Sequence, residues 1–363
     1  MYTMTLEINQ RCNLRCQYCY LGEKNGTKMS YETACKAIDR AFLYTKIHKD
    51  QTLWIDFIGG EPLLDFDMIC KLVEYIYQKN AEVKYKLLFS LTTNATIFNE
   101  EILAFLLENE FAIKVSIDGD REVNNINRVD CSGDSVYDKI LANLVYLKEF
   151  EQKSGRFVQV TNVITGNNYD KYYESLVYLT KELGFKIIDT AIDVSYAWSP
   201  EEITILMNGI RKSFDYFIEA AKKNQGFRWD FVDKVVNFKN KRKKFYTCGA
   251  GIISSYVRTE GGIYACPGNL SPSAEIGTVE DGLKKEKIDP LKQFDSIDNP
   301  ECGACEISEH CTEQSCAMQN LAVMGDINKP IPVMCKLRKL IYEVYTQNED
   351  CLLYTSPSPR DRG

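Results

Sequence analysis

Six short runs rich in apolar and β-branched residues, "TLEI", "LWIDFIG", "KLLFSLTTN", "AIKVSID", "FVQVTNVIT" and "KIIDTAID", recur between Thr5 and Asp193, with amphipathic segments between them. Alternating strand and helix periods leave few architectures open, because a helix crossing over between consecutive strands makes those strands parallel neighbours. The segment "DFDMICKLVEYIYQ" shows the helical period, with Met68, Leu72 and Ile76 on one stripe. Six such repeats predict an α/β chain whose residues 1–198 form a partial (βα)6 TIM-like barrel. A long helix is predicted to open at Ser199, with Pro200 at its first position and Glu202 at its third, the pattern of a capping box. Residues 199–244 read as a helical linker that ends in the basic run Lys239 to Lys244. Near Phe245 the composition changes: over 245–350 the periodic helices give way to seven cysteines between Cys248 and Cys335, a second and smaller domain. The end, "CLLYTSPSPRDRG" from Cys351 to Gly363, reads as translated adaptor sequence, and the native C-terminus is expected to be missing with it.

A net charge of -7 argues against nucleic acid or an anionic membrane surface as the main partner, since both reward clustered positive charge. No apolar run approaches the roughly 18 to 20 residues a membrane span needs, and "MYTMTLEINQ" lacks the basic-then-apolar order of a signal peptide. These features point to the cytosol. Fourteen cysteines in a reducing compartment make a poor disulfide framework, so metal or redox chemistry is their leading explanation.

Three of them, Cys12, Cys16 and Cys19, stand in the stretch "NQRCNLRCQYCYLG", after the first predicted strand. That is the barrel end where such folds place active sites. Three thiolates cannot saturate a four-iron cluster, and the iron left open can chelate the amino and carboxylate groups of a small molecule. Zinc would usually want paired CxxC knuckles or histidine partners, and buried structural cysteines would not gather on an Asn- and Arg-bearing loop. The spacing, with aromatic Tyr18 before the third cysteine, resembles the signature of the radical S-adenosylmethionine (SAM) superfamily.

The resemblance extends to the loops after the next strands. Gly59, Gly60, Glu61 and Pro62 match the family's GGE element, whose glycines let backbone approach the cofactor and whose carbonyls and Glu61 would receive the methionyl ammonium. Asn94 follows the third strand, Ser116 ends the fourth, and Arg128 lies downstream; in similar enzymes these positions contact the ribose and carboxylate of SAM. The bland alternatives are a turn for the glycines, strand-end caps for Asn94 and Ser116, and a surface ion pair for Arg128. What the resemblance implies is one-electron cleavage of SAM to methionine and a 5′-deoxyadenosyl radical, which abstracts hydrogen from a substrate.

The second cysteine set reads Cys248-x12-Gly261-x4-Cys266, with a hairpin expected in "SSYVRTEGGIYAC", then Cys302-x2-Cys305-x5-Cys311-x4-Cys316 and, after eighteen intervening residues, Cys335. It resembles the seven-cysteine SPASM domain of peptide-modifying radical SAM enzymes, departing from it in the x4 before Cys316. A zinc ribbon is the structural alternative. By analogy Cys302, Cys305, Cys311 and Cys335 would hold one fully ligated auxiliary 4Fe-4S cluster, and Cys248, Cys266 and Cys316 another, giving three clusters in all. Substrate thiolate, or one of Cys131, Cys35 and Cys70, could complete the latter; Cys35 and Cys70 fall in predicted helices and read as core.

Two families share this architecture: maturases that make formylglycine in sulfatases, and maturases that cross-link ribosomal peptides. The former carry an aspartate after the hairpin's last cysteine and an extra cysteine soon after the first; here Cys266 is followed by Pro267, and "CGAGIISSYV" has no further cysteine. The expectation is therefore a peptide cross-linking enzyme, a thioether being its sharpest form, with a precursor peptide or protein as substrate. Many peptide maturases begin with a winged-helix leader-binding domain, whereas this chain starts at the first strand, so the leader is expected to bind elsewhere or to need a separate leader-binding protein. The Lys239 to Lys244 run could dock an acidic leader or a ferredoxin or flavodoxin electron donor, or be a solvated linker. Asp189 and Asp193 at the end of the sixth strand read as proton acceptors or as caps. A non-catalytic iron-sulfur electron carrier is the alternative outside the enzymes.

Overall fold

The computed structural model describes residues 1–22, 24–235, 248–292, 298–311, 316–349 and 352. The run Lys239 to Lys244 and all of the suspected tail except Leu352 lie outside them. All six predicted strands are present: β1 (Tyr2–Glu7), β2 (Thr52–Ile58), β3 (Lys86–Thr93), β4 (Ala112–Ser116), β5 (Gln159–Ile164) and β6 (Ile187–Ile192). Helices α1 (Tyr31–Thr45), α2 (Phe66–Val83), α3 (Glu100–Glu108), α4 (Arg121–Asn127), α5 (Tyr137–Ser154) and α6 (Tyr172–Val177) alternate with them.

By their contacts the residues divide into two units, Met1–Ser116 with Arg128–Val158 and Cys248–Phe294, and Ile117–Asn127 with Gln159–Thr247 and Asp295–Gly363. The cysteine-rich stretch 245–350 is thus shared between them. In the first unit β1, β2, β3 and β4 run parallel in that order, and short strands Ser254–Val257, Gly262–Tyr264, Glu275–Thr278 and Gly282–Leu283 extend the other edge of β1. The expected hairpin is there, with Tyr256 opposite Tyr264 and Val257 opposite Ile263. In the second unit β5 and β6 run parallel, Asn162 opposite Thr190, followed by the short parallel strand Arg228–Trp229.

Register, more than any single residue, positions the site. Glu7 lies opposite Ile58 and Thr93 opposite Val115, so the loops after β1 to β4 leave from one end of the sheet. One face of these strands packs on the helices: Met4, Leu6, Ile55, Phe57, Leu91 and Ile113 are buried. Phe89 stacks between Phe57-packed Phe111 and the edge of Tyr77. The other face carries polar groups, among them Asp56, which accepts hydrogen bonds from Ser90 Oγ at 2.5 Å and Thr5 Oγ1 at 3.3 Å.

The buried stripe of α2 differs from the expected one: it is Ile69, Leu72, Val73 and Ile76, while Met68 faces a surface groove. Each of these side chains contributes about 1.5 to 3 kcal/mol on burial. Helix α7 (Pro200–Lys222) opens on the predicted capping box, the Ser199 and Glu202 side chains each paired with the other's backbone N–H. The expectation that periodic helices end before the cysteine-rich stretch is corrected by a 16-residue helix at Pro332–Gln347, whose Leu337, Ile341 and Val344 are buried and which pairs with α7 through Glu343 and Arg211 at 2.7 Å. Among the described residues no helix is long and apolar enough to cross a membrane.

Candidate active site

Cys12, Cys16 and Cys19 lie on the loop that leaves β1, and three neighbouring segments pin that loop. The β2 loop pairs with it in strand fashion, Gly60 N–H donating to Asn9 O at 2.8 Å and Glu61 N–H to Arg11 O at 2.7 Å. The end of β3 reaches it through Asn94, whose Nδ2 donates to Asn13 Oδ1 at 2.8 Å and lies 3.8 Å from Cys12 Sγ. Beyond Arg128, Leu14 bridges to Asp130 and Arg15 N–H donates to Val129 O at 2.8 Å. Leu14 itself is fully buried, an apolar peg between the first two cysteines. All three thiols stay partly accessible.

The two glycines are required by proximity. A Cβ on Gly60 would stand 2.0 Å from Arg11 O and 3.1 Å from Cys12 Cβ, and one on Gly59 would stand 2.6 Å from Asn9 O. These are backbone obstacles that no rotamer change relieves. Gly60→Ala is therefore expected to push the cysteine loop off β2, with a stability loss of about 3 kcal/mol and a fall in cluster iron, checked by denaturation and iron analysis.

Glu61 is fully buried. Its carboxylate accepts from Asn94 N–H at 2.7 Å, Thr93 Oγ1 at 2.8 Å and Leu63 N–H at 3.1 Å, and its carbonyl accepts from Asn9 Nδ2 at 3.1 Å. Burial lifts its pKa above the ordinary carboxylate range, while those donors and the nearby Arg128 charge pull the other way. A carboxylate has about four acceptor sites, so three donors leave room for one more. Glu61 is thus first a clamp joining the ends of β2 and β3. Arg128 is buried, not a surface ion-pair partner, and donates from Nη1 to the Tyr18 hydroxyl at 2.7 Å. Ser116 ends β4, half-buried. Tyr18, Gly59, Gly60, Glu61, Asn94 and Arg128 therefore all border the Cys12 loop.

Cys302, Cys305, Cys311 and Cys335 line one small cavity with Ile307, Met334 and Arg338. The Cys311 thiol is pushed up to about 12, by burial first, with Arg338 opposing and the neighbouring thiols Cys335, Cys305 and Cys302 adding to it. Burial likewise raises the Cys302 and Cys335 thiols, and thiols whose ionisation burial opposes around a common cavity suit a metal cluster, whose positive irons remove that penalty. Among the described residues no three His, Cys, Asp or Glu side chains close to the range of a single ion. Cys316 stands outside this lining, at the N-cap of the helix Ala317–Met324. Cys248 is exposed and Cys266 half-buried. Cys35 and Cys70 sit in α1 and α2 as expected, whereas exposed Cys131 lies against the Cys12 and Asn13 carbonyls at 4.0 and 3.8 Å. Asp193 is a cap, accepting from Ser195 N–H and Oγ.

Sequence reasoning missed Glu7. It is fully buried at the end of β1, and accepts from Tyr256 Oη at 2.5 Å and Gln10 Nε2 at 2.8 Å, with Arg258 Nε at 3.9 Å. Its principal partner is 249 residues away, so no local pattern announces the pair. Burial raises its pKa despite those partners. The folded state then binds a proton more tightly than the unfolded chain, and stability falls as pH climbs from the ordinary carboxylate range to the raised value. Glu7→Gln is expected to flatten that fall, read as thermal midpoints across pH.

Residues 6–179 match the Radical SAM superfamily. The chain is 30% identical over 288 residues to the uncharacterized protein MJ0907 of Methanocaldococcus jannaschii, covering 78% of this chain and 91% of that one. The chain belongs to the radical SAM superfamily. This radical SAM enzyme is also 24% identical to a cysteine-type anaerobic sulfatase-maturating enzyme of Clostridium perfringens, over 83% of this chain and 84% of that one. It is 20% identical to the radical SAM cyclopropyl synthase TigE of Paramaledivibacter caminithermalis, over 85% and 66% of the two chains. Among solved structures its fold matches native anSMEcpe with bound AdoMet and Cp18Cys peptide, with a TM-score of 0.79, 21% identity and 97% and 98% of the chains covered. Streptococcus suis SuiB bound to precursor peptide SuiA follows at a TM-score of 0.60 and 15% identity, over 92% and 75%.

Proposed function

We propose that this radical SAM enzyme abstracts hydrogen from a peptide or protein substrate and joins the resulting carbon to another atom of that substrate, a thioether from a cysteine sulfur being the sharpest form. The observation that carries the reading is the Cys12 loop, held by Gly60, Asn94 and the segment after Arg128, with its three cysteines all partly accessible. The peptide part draws support from the sulfatase-maturating and cyclopropyl-synthase relatives and from the peptide-bound anSMEcpe and SuiB folds.

Cys12, Cys16 and Cys19 would hold the SAM-binding cluster, with the Gly59–Gly60 backbone, Asn94, Ser116, Arg128 and Tyr18 around SAM. Cys302, Cys305, Cys311 and Cys335 would hold one auxiliary cluster, and Cys248, Cys266 and Cys316 a second. Bound together, these groups would supply one electron to cleave SAM to methionine and a 5′-deoxyadenosyl radical, and a place for one electron leaving the substrate. The chain's own part is to fix the cysteine loop, present Arg128 as a permanent charge for a carboxylate, and offer the acceptor site left on the Glu61 carboxyl to the ammonium. A ferredoxin or flavodoxin donor and a leader-binding partner complete the reading.

Formylglycine formation is the second reading, favoured by the sulfatase-maturating relatives, but the position after Cys266 is Pro267, which offers no acid or base. Anaerobic incubation of the reconstituted enzyme with SAM, dithionite and a panel of cysteine-containing peptides separates the two by product mass. Cross-linking removes two hydrogens and keeps the sulfur. Loss of the sulfur would assign formylglycine chemistry instead, and 5′-deoxyadenosine release that no peptide stimulates would contradict both.

A further inference from the structure

On β1, β2 and β4 burial alternates residue by residue: Met4, Leu6, Ile55, Phe57 and Ile113 are buried, while Thr5, Trp54, Asp56, Lys114 and Ser116 stay partly accessible. The face turned away from the helices therefore borders open space. Asp56 stands on it with Thr5 opposite on β1 and Ser90 opposite on β3. The hydrogen bonds there have a fixed direction. Trp54 Nε1, which can only donate, gives its proton to Ser90 Oγ at 2.7 Å, and Ser90 in turn donates to Asp56 Oδ1 at 2.5 Å. Asp56 Oδ2 accepts the longer bond from Thr5 Oγ1 at 3.3 Å. A carboxylate has about four acceptor sites, so room remains for a further donor.

Position brings this carboxylate to the Cys12 loop. It lies two residues before Ile58, the end of β2 and the neighbour of Gly59, and its charge acts on the hydroxyl of Tyr20, the residue after Cys19. Other carboxylates around that loop are committed: Glu7 and Glu61 are fully buried, and Asp65 accepts from Asn9 and pairs with Lys28 and Arg11. Burial raises the Asp56 pKa, with the Ser90 hydrogen bond, the Lys114 charge and the Thr5 hydrogen bond opposing it. The carboxyl thus moves out of its ordinary range toward one in which it can take and return a proton.

We propose that Asp56 is the proton acceptor of the cross-linking reaction, taking the proton of the substrate thiol as its sulfur bonds to carbon. The inference rests on the peptide cross-linking reading. Cross-linking removes two hydrogens from the substrate. One leaves as an atom, abstracted by the 5′-deoxyadenosyl radical. As the sulfur then closes on that carbon, the S–H bond breaks and the C–S bond forms; the proton goes to Asp56, and one electron to an auxiliary cluster. The substrate is oxidised by two electrons, and charge and atoms balance. Ser90 is a positioning residue: it fixes Oδ1 and leaves Oδ2 for the thiol. Asparagine at position 56 would keep an acceptor for Ser90 and lose the base.

The test uses the anaerobically reconstituted full chain with the panel of cysteine-containing peptides, following product formation across pH. In Asp56→Asn product formation is expected to fall about 100-fold with iron content retained, and the acid limb of kcat/KM should disappear from what remains. Asp56→Glu, which keeps a carboxyl, should recover part of the rate and the acid limb. Ser90→Ala takes one donor from the carboxylate, so the acid limb should move to higher pH. Apart from turnover, the infrared band of a protonated carboxyl that is missing in Asp56→Asn should titrate with the midpoint of that limb. A native rate and acid limb in Asp56→Asn overturn the proposal while the cross-linking reading stands. So does equal loss of rate and iron in the Asn and Glu variants, which would leave Asp56 a packing role. A wild-type chain that converts no peptide of the panel removes the cross-linking reading, and the part given to Asp56 with it.

Discussion

Replacing Cys12, Cys16 and Cys19 together by alanine is expected to reduce 5′-deoxyadenosine formation to background, while the chain stays folded and keeps the iron of its other cysteine set. The fold should survive because the loop has holds other than its thiols. It is held by the strand-like pairing of Asn9 and Arg11 with Gly60 and Glu61, by Asn94 on Asn13, and by buried Leu14. Iron content should fall by about four per chain, one cluster's complement. Single replacements should behave almost as severely, since a cube missing two protein thiolates has no stable place on an accessible loop. Retained SAM cleavage in the triple variant would place the radical chemistry elsewhere.

Glu61→Ala is the second large expected effect, and it joins stability to cofactor binding. The substitution strands the Asn94 N–H, the Thr93 hydroxyl and the Leu63 N–H, all within the protein interior. Buried donors left without acceptors cost about 1 to 3 kcal/mol each; removal of a carboxylate whose burial was incompletely repaid returns part of that. A net loss of about 3 kcal/mol is expected in chemical denaturation. SAM affinity should fall more than tenfold, because the ends of β2 and β3 lose the clamp that sets Gly60 and Asn94 on the cysteine loop. Glu61→Gln, which keeps one acceptor oxygen but turns the other toward a donor as an amide, should fall between the two. A Glu61→Ala protein with native SAM affinity would reduce Glu61 to a structural cap.

The architecture was legible in the sequence because strand and helix periods are local properties, and all six runs named from the sequence became strands. The capping box at Ser199 was legible for the same reason. The helix Pro332–Gln347 escaped because one of its faces is committed to Cys335 and Arg338, which break the apolar stripe that Leu337, Ile341 and Val344 continue. On α2 the stripe was displaced by one residue, from Met68 to Ile69, a shift the helical period alone could not arbitrate. The cysteine motifs were readable because their spacing is set by cluster chemistry over a few residues. What joins them to the rest was not: Asn94 reaches Asn13 across 81 positions and Arg128 reaches Tyr18 across 110, and only the parallel register makes those pairs neighbours. Glu7 with Tyr256 belongs to the same class.

The central claim, that the loop of Cys12, Cys16 and Cys19 directs reductive cleavage of SAM, has one direct test. The chain is reconstituted anaerobically with iron and sulfide, mixed with SAM and dithionite, and assayed for methionine and 5′-deoxyadenosine. Equimolar formation of the two, in a protein binding about twelve irons, is the predicted result. Zinc in place of iron, or bound iron with intact SAM, would contradict it.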